Sequence, residues 1–434
     1  MKGHHGLVTS TPSWHAAGPP PRDELTAWTT AELADGEVGV IPPLSQPAPP
    51  GRMRLVFGGG VNVRAQPGPA GAAPAVYVHG LGGASTDWTR LAAALAPHAP
   101  GYSLDLPGSG RSDPPPAGRY SPAVDARVVA RAIEQLADGP VHLVGNSYGG
   151  IVVTHVAAGW PHLVRTLTVL APAVPDLRPT ADRGADPRLG VLLVPGTAAL
   201  AYQRLASIAP MARARGMGEL CFGRPELVTD RDYALAAREH AWRARLPWVF
   251  EATIGTLRGL MNGYLRPGSR SFAAQAGRVR APVLVVWGTR DRLVDVRLSR
   301  RAAAAYPDAR LLVLAGCGHV PQMEQPEATA RAMLALWRPD AACRRGGTPD
   351  KIDPGAPMDK DLYDLPPEEE KNIPTVCHSL DQALAALDKD RDFLKAGGVF
   401  NDDFIDAYIE LKMQEVTKFR ASTHPLEYQM YYAI

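Results

Sequence analysis

Val141-His142-Leu143-Val144-Gly145-Asn146-Ser147-Tyr148-Gly149-Gly150 is the stretch on which the fold turns. The apolar run Val141–Gly145 predicts a short buried strand, and Gly150–Gly159 behind it predicts a helix. Between them lies the pattern G-x-S-x-G. Glycines on both sides of a serine let the backbone make a strained strand-to-helix turn that lifts the hydroxyl above a sheet. The helix that follows points its first amide groups, the positive end of its dipole, at the same place. An ordinary Gly/Ser turn has the same composition, so what else arrives beside Ser147 decides the reading.

Working outward, short apolar runs alternate with helical ones. Met53–Phe57 and Val61–Ala65, separated by Gly58-Gly59-Gly60, predict a β-hairpin. Ala75–His79, Tyr102–Leu106, Leu167–Ala171, Pro282–Gly288 and Arg310–Ala315 predict further strands. Trp88–Ala96, Ala123–Leu136, Val296–Tyr306 and Pro326–Trp337 carry helical spacing. Such alternation predicts an α/β fold: a mostly parallel central sheet with helices on both faces. The alternation lapses over residues 172–275, a helix-prone, arginine-rich stretch bearing Trp242, Trp248 and Phe250. It is expected to be a helical lid inserted between core pieces 53–171 and 276–345. Residues 1–52, rich in Pro, Gly and Ala, are expected to be a largely irregular and mobile leader, with a short helix at most over Asp23–Leu33.

In sheets of this kind chemistry gathers at the carboxyl ends of strands. Val78-His79-Gly80-Leu81-Gly82-Gly83 ends an early strand and is suited to supply a backbone amide, at Leu81, to an oxyanion; the second amide is that of Tyr148, next to the serine. His79 is read as a brace for that loop. A serine hydroxyl needs a base to take its proton, and the base needs an orienting carboxylate. Trp287-Gly288-Thr289-Arg290-Asp291 and Ala315-Gly316-Cys317-Gly318-His319 end the last two strands, placing acid and histidine after the serine in chain order. The catalytic candidates are therefore Ser147, Asp291 and His319, with Asp295 as rival acid. No metal or cofactor is required, and His4, His5 and His15 are not read as a metal site.

On these four motifs, residues 53–340 resemble the α/β-hydrolase superfamily. Leu104-Asp105-Leu106-Pro107-Gly108-Ser109-Gly110-Arg111-Ser112 resembles that family's loop after its fourth strand, which implies a structural role for Asp105. A serine, rather than an aspartate, at the elbow argues against dehalogenase and epoxide-hydrolase chemistry. The resemblance implies hydrolysis of a carboxylic ester or thioester through an acyl-enzyme. Gly-Asn-Ser-x-Gly-Gly is also similar to the elbow of carbon–carbon bond hydrolases acting on ring-fission products, which is one alternative. A non-catalytic ligand-binding protein on the same fold is another.

Charge and composition divide the chain near 346–350. Residues 1–348 hold 37 basic and 26 acidic side chains, whereas residues 349–434 hold 9 and 18; Lys2 is the single lysine of the first part, and the tail has seven. The net charge of +2 gives no reason to expect nucleic acid as a partner. Lys351-Ile352-Asp353-Pro354-Gly355-Ala356-Pro357-Met358-Asp359-Lys360-Asp361-Leu362-Tyr363-Asp364-Leu365-Pro366-Pro367-Glu368-Glu369 resembles the adenylylation-site segment of bacterial class I glutamine synthetase, and the likeness runs through His424-Pro425-Leu426-Glu427. Tyr363 stands where that family's modified tyrosine lies. The rest of such an enzyme is missing, so 351–434 is a C-terminal fragment with no ligase activity expected. It is read as a small, mainly helical tail with amphipathic helices at Ser379–Lys395 and Asp402–Arg420. The tail is either a passenger of a fusion or a means of self-association. Four scattered cysteines, no signal-peptide pattern and no membrane-length apolar run lead to the expectation of a cytoplasmic protein acting on a small acyl substrate.

Overall fold

Side-chain alternation along the strands explains the sheet. In Ala75-Val76-Tyr77-Val78, Val76 and Val78 join one buried apolar cluster while Ala75 and Tyr77 join another; Val283 and Val285 divide from Leu284 and Val286 in the same way. Successive strand residues face opposite sides, so runs that are apolar throughout need cover on both. In the computed structural model, which describes residues 22–115, 118–176, 203, 207–264, 268, 271–338, 379–391, 395 and 401–420, they have it.

The strands are β1 (Gly51–Val56), β2 (Gly59–Gln66), β3 (Ala75–Val78), β4 (Gly101–Leu104), β5 (Val141–Asn146), β6 (Val164–Leu170), β7 (Val283–Gly288) and β8 (Ala309–Leu314). They form one sheet in the order β1-β2-β4-β3-β5-β6-β7-β8. The pairs β1–β2 and β2–β4 are antiparallel and the others parallel. From β3 the chain goes to β4 on one side and then to β5 on the other. The carboxyl ends of β3 and β5 therefore border the point where winding reverses, the usual place for a crevice in an open α/β sheet.

The described helices are α1 (Thr89–Leu95), α2 (Pro122–Leu136), α3 (Tyr148–Gly159), α4 (Pro210–Cys221), α5 (Asp230–Arg243), α6 (Val249–Tyr264), α7 (Phe272–Ala276), α8 (Ser299–Ala304), α9 (Pro321–Glu324), α10 (Pro326–Trp337), α11 (Leu380–Lys389) and α12 (Asp402–Arg420). Val129 and Ile133 of α2, Val152 and Val156 of α3, and Ala302 of α8 cover one face. Leu91 and Leu95 of α1, with Met333 and Leu336 of α10, cover the other. Helices α4 to α7 occupy the interval between β6 and β7.

Two details differ from the sequence expectation. The hairpin turn is Phe57-Gly58, both at positive φ (51° and 81°), with Val56 paired to Gly59. A two-residue turn with this twist matches that of the flanking strands, so Gly59 and Gly60 enter β2. The described part of the leader opens with a 3-10 helix, Arg22–Trp28, and is packed rather than mobile: the Thr30 and Ala31 amides donate to the Leu311 carbonyl at 2.8 and 3.0 Å, and the Leu311 and Val313 amides donate to the Thr30 and Thr29 hydroxyls. These bonds cover the open edge of β8, which would otherwise present unpaired backbone groups.

Contacts divide the chain into two units, Met1–Cys343 and Arg344–Ile434. In the second, α11 buries Leu384 and α12 buries Ile405, and Arg391 bridges to Asp406 at 2.6 Å. Phe404, Tyr408 and Leu411 are exposed. Tyr363 and the junction 346–350 lie outside the described residues. Among the described residues no helix is long and apolar enough to cross a membrane.

Candidate active site

Ser147 occupies the turn between β5 and α3 with φ 54° and ψ −116°. A non-glycine residue held there costs about 1–3 kcal/mol, and three backbone bonds hold it: the Ser147 amide donates to the Leu170 carbonyl at 2.9 Å, and the Gly150 and Ala173 amides each donate to the Ser147 carbonyl at 3.0 Å. Space dictates the neighbouring glycines. A Cβ on Gly145 would lie 2.4 Å from the Gly149 carbonyl oxygen, and one on Gly149 would lie 2.2 Å from that of Val78.

The loop after β3 runs directly beside the serine: a Cβ on Gly80 would be 3.0 Å from the Ser147 Cβ. Beneath that loop the Leu106 amide donates to His79 Nε2 at 3.0 Å, so His79 Nδ1 carries the proton and donates to the Gly80 carbonyl at 2.7 Å. Burial lowers the His79 pKa, which keeps a neutral ring as the loop's brace. Asp105 accepts from the amides of Ser85 at 2.6 Å and Arg111 at 2.9 Å, and from Asn62 Nδ2 at 2.7 Å. Burial alone would raise its pKa, but these donors hold the carboxyl below its ordinary value. It is a fixed strut of the loop after β4.

The loops after β7 and β8 bring Asp291 and His319 together. Asp291 Oδ2 faces His319 Nδ1 at 2.8 Å, and Asp291 Oδ1 accepts from the amides of Leu293 and Val294 at 2.8 and 2.9 Å. Both residues are buried. The carboxylate fixes the proton on Nδ1 and leaves Nε2 as the basic nitrogen. Asp295, the rival acid, instead accepts from the Arg297 amide at 2.8 Å and pairs with its guanidinium at 2.7 Å.

Among the described residues Ser147 and His319 share no direct hydrogen bond; Asn146 connects their loops. Its side-chain amide donates at 3.0 Å both to the Leu170 carbonyl and to the His319 carbonyl. Sequence reading missed this role, though Asn146 lies inside the elbow motif. It also missed Glu324, whose Oε1 accepts from the Gly318 amide at 2.6 Å and whose Oε2 accepts from the Gly223 amide at 2.9 Å, tying the stretch after α4 to the histidine loop. The His319 amide in turn donates to the Cys221 carbonyl at the end of α4, at 2.7 Å. On the other side, Arg243 of α5 donates to the Gly82 carbonyl at 2.6 Å, and the Arg111 guanidinium lies 3.7 Å over the Trp242 ring. The helices between β6 and β7 thus grip both loops beside the serine. Leu81 and Tyr148 line one small cavity. A wider surface groove lined by Leu55, Phe57 and Trp160 contains none of these residues. Among the described residues no cluster of His, Cys, Asp and Glu is arranged to hold a metal ion.

Comparison with known proteins supplies two matches. Residues 75–332, more than half of the chain, match the model of the alpha/beta hydrolase family, and residues 261–431 match that of the glutamine synthetase catalytic domain. The two overlap over 261–332, where the chain builds β7, β8 and the loops bearing Asp291 and His319. Glutamine synthetases from Methylococcus capsulatus and Bradyrhizobium diazoefficiens are each 45% identical over 176 and 180 residues, covering 40% of this chain and 34% of theirs. The chain thus spans about a third of the length of the curated relatives it matches. Similar solved structures include a membrane phospholipase A (24% identity, TM-score 0.53, 69% of this chain and 88% of that one). Another is Cfl2 of Burkholderia cenocepacia (22%, 0.56, 66% and 95%), and a third is a meta-cleavage product hydrolase of Pseudomonas fluorescens (21%, 0.52, 66% and 97%). At these identities the likeness concerns the fold alone.

Proposed function

Because the chain belongs to the α/β-hydrolase family, we propose that it is a serine hydrolase that cleaves a carboxylic ester or thioester, with Ser147 as nucleophile, His319 as general base and acid, and Asp291 as its orienting carboxylate. The buried Asp291–His319 hydrogen bond at 2.8 Å carries this reading, because it leaves one basic nitrogen on a fixed ring at the same sheet edge as the strained serine. His319 Nε2 takes the proton as Ser147 Oγ attacks the carbonyl carbon. The Leu81 and Tyr148 amides hold the oxyanion, each such donor being worth about 3–4 kcal/mol. Collapse expels the alcohol or thiol, protonated by His319. Water, deprotonated by the same nitrogen, then releases the acid and restores the serine.

Labelling with a fluorophosphonate probe, followed by peptide mapping, tests the assignment. Stoichiometric label on the Ser147 peptide, absent in Ser147→Ala, is the expected result; an unlabelled, folded wild type would sink it. The elbow sequence Gly145-Asn146-Ser147-Tyr148-Gly149-Gly150 supports a second reading, carbon–carbon bond hydrolysis. Turnover of dienol-type diketones with negligible hydrolysis of simple esters would favour it.

For the tail we infer a fragment without ligase activity, since even the whole matched stretch of 176 residues, longer than 351–434, covers 34% of the synthetase. The exposed Phe404, Tyr408 and Leu411 of α12 are consistent with self-association, and a monomer by light scattering at high concentration would remove that idea. Modification of Tyr363 is tested by incubation with an adenylyltransferase and mass analysis of its peptide.

A further inference from the structure

Asp125 belongs to no part of the chemistry above, yet it is buried in the first turn of α2, with 2% of its surface exposed. Tyr148 donates its phenolic proton to Asp125 Oδ2 at 2.6 Å. Asp125 Oδ1, also buried, has no hydrogen-bond partner among the described residues. A buried carboxyl oxygen without a partner is costly unless something comes to meet it. Asp125 lines a small cavity beside the serine together with Leu81, Tyr148, His79, Ser109 and Thr256. Leu81 and Tyr148, whose amides are assigned to the oxyanion, both line it, so the cavity adjoins the place of the substrate carbonyl.

We propose that the cavity is a subsite for a hydroxyl group on the acyl chain, recognised by Asp125, and that the substrates are esters or thioesters of short hydroxy acids. The inference rests on the acyl-transfer reading of Ser147. The space admits one water-sized group, which suits a hydroxyl and excludes a continuing alkyl chain. A hydroxyl also satisfies Asp125 in either protonation state. An ionised Oδ1 accepts from it; a protonated one donates to it, since Oδ2 is already taken by Tyr148. An ammonium would match the first state alone and a ketone the second alone. Burial raises the Asp125 carboxyl to about 7, against the lowering effect of the Tyr148 hydrogen bond, so both states are populated near neutrality. Ser109 and Thr256, both neutral and hydroxyl-bearing, also line the cavity.

The test is a ratio of substrates. In the wild type, kcat/KM for 4-nitrophenyl 2- or 3-hydroxybutyrate should exceed that for the butyrate by about tenfold or more, the usual penalty for an analogue that leaves a buried polar group unpaired. Asp125→Leu should bring the ratio to about one. In Asp125→Asn the amide oxygen takes the Tyr148 proton and N–H faces the cavity, so the 3-oxobutyrate should overtake the 3-hydroxybutyrate. A general loss of activity cancels in each ratio. A wild-type ratio near one, or a ratio unchanged in both variants, overturns the proposal and leaves Asp125 holding a structural water. Fluorophosphonate labelling of Ser147 reports separately on the acyl-transfer reading. Should labelling fail, ligand-observed NMR with 3-hydroxybutyramide against butyramide decides the subsite. Preference for the hydroxyamide that vanishes in Asp125→Leu sustains it; equal binding removes it.

Discussion

Replacing Asp125 by asparagine should stabilise the hydrolase unit above neutral pH and leave it nearly unchanged in acid. The Asp125 carboxyl is raised by burial from 3.8 to about 7, the Tyr148 hydrogen bond working in the opposite direction. A carboxyl whose pKa is higher in the folded state binds more protons folded than unfolded between those two values. Unfolding free energy therefore falls as pH rises from about 4 to about 7 and is level beyond. A shift of about three units amounts to about 4 kcal/mol, of which about 3 kcal/mol lies above pH 5. Asparagine keeps the shape and an acceptor for the Tyr148 proton but has nothing to ionise. Urea unfolding of both proteins from pH 5 to 8.5 is the assay, followed by tryptophan fluorescence. All eight tryptophans precede residue 343, so the signal reports the hydrolase unit without the tail. Other acids whose pKa is raised by burial, Asp87 and Glu324 among them, cancel in the difference. The variant should gain about 3 kcal/mol on the wild type across this range. A difference that stays constant with pH would refute the account of Asp125 as a carboxyl that is costly to ionise.

Asn146→Ala removes the donor to the His319 carbonyl, while the Leu170 carbonyl keeps the Ser147 amide; a loss of about 2–3 kcal/mol in urea unfolding is expected, with slower serine labelling, and an unchanged midpoint and labelling rate would contradict the role given to it. Gly223→Ala would place a Cβ 2.4 Å from the Gly316 carbonyl oxygen; overpacking of this kind costs about 1–3 kcal/mol, and a thermal midpoint equal to the wild type would show that the stretch after α4 does not pack tightly on the histidine loop. His319→Ala removes the base that takes the Ser147 proton and should slow acylation by an activated ester by about 10²–10⁴-fold; a rate equal to the wild type would exclude His319 as base.

The hairpin's exact turn and the separate helices between β6 and β7 were not legible in the sequence, whereas the core strands, the helices between them and the loops that carry Ser147, Leu81, Asp291 and His319 were. Each rests on a local pattern: period-two burial along Ala75–Val78, a glycine-flanked serine after a strand, an acid and a histidine each closing one. Lysine usage and charge change near residue 346, and contacts divide the chain into Met1–Cys343 and Arg344–Ile434. Contacts between side chains far apart in the chain left no such mark. That Asp291 and not Asp295 meets His319 depends on how the loop after β7 directs its amides and on Arg297 occupying the rival. The pairing of Asp125 with Tyr148, the Asn146 bridge to His319 and the Glu324 clamp on Gly223 and Gly318 join segments 23, 173 and up to 101 residues apart. Tertiary structure alone decided these, because a buried hydrogen bond is specified by distance and desolvation at one place in space, and neither is written in the order of residues along the chain.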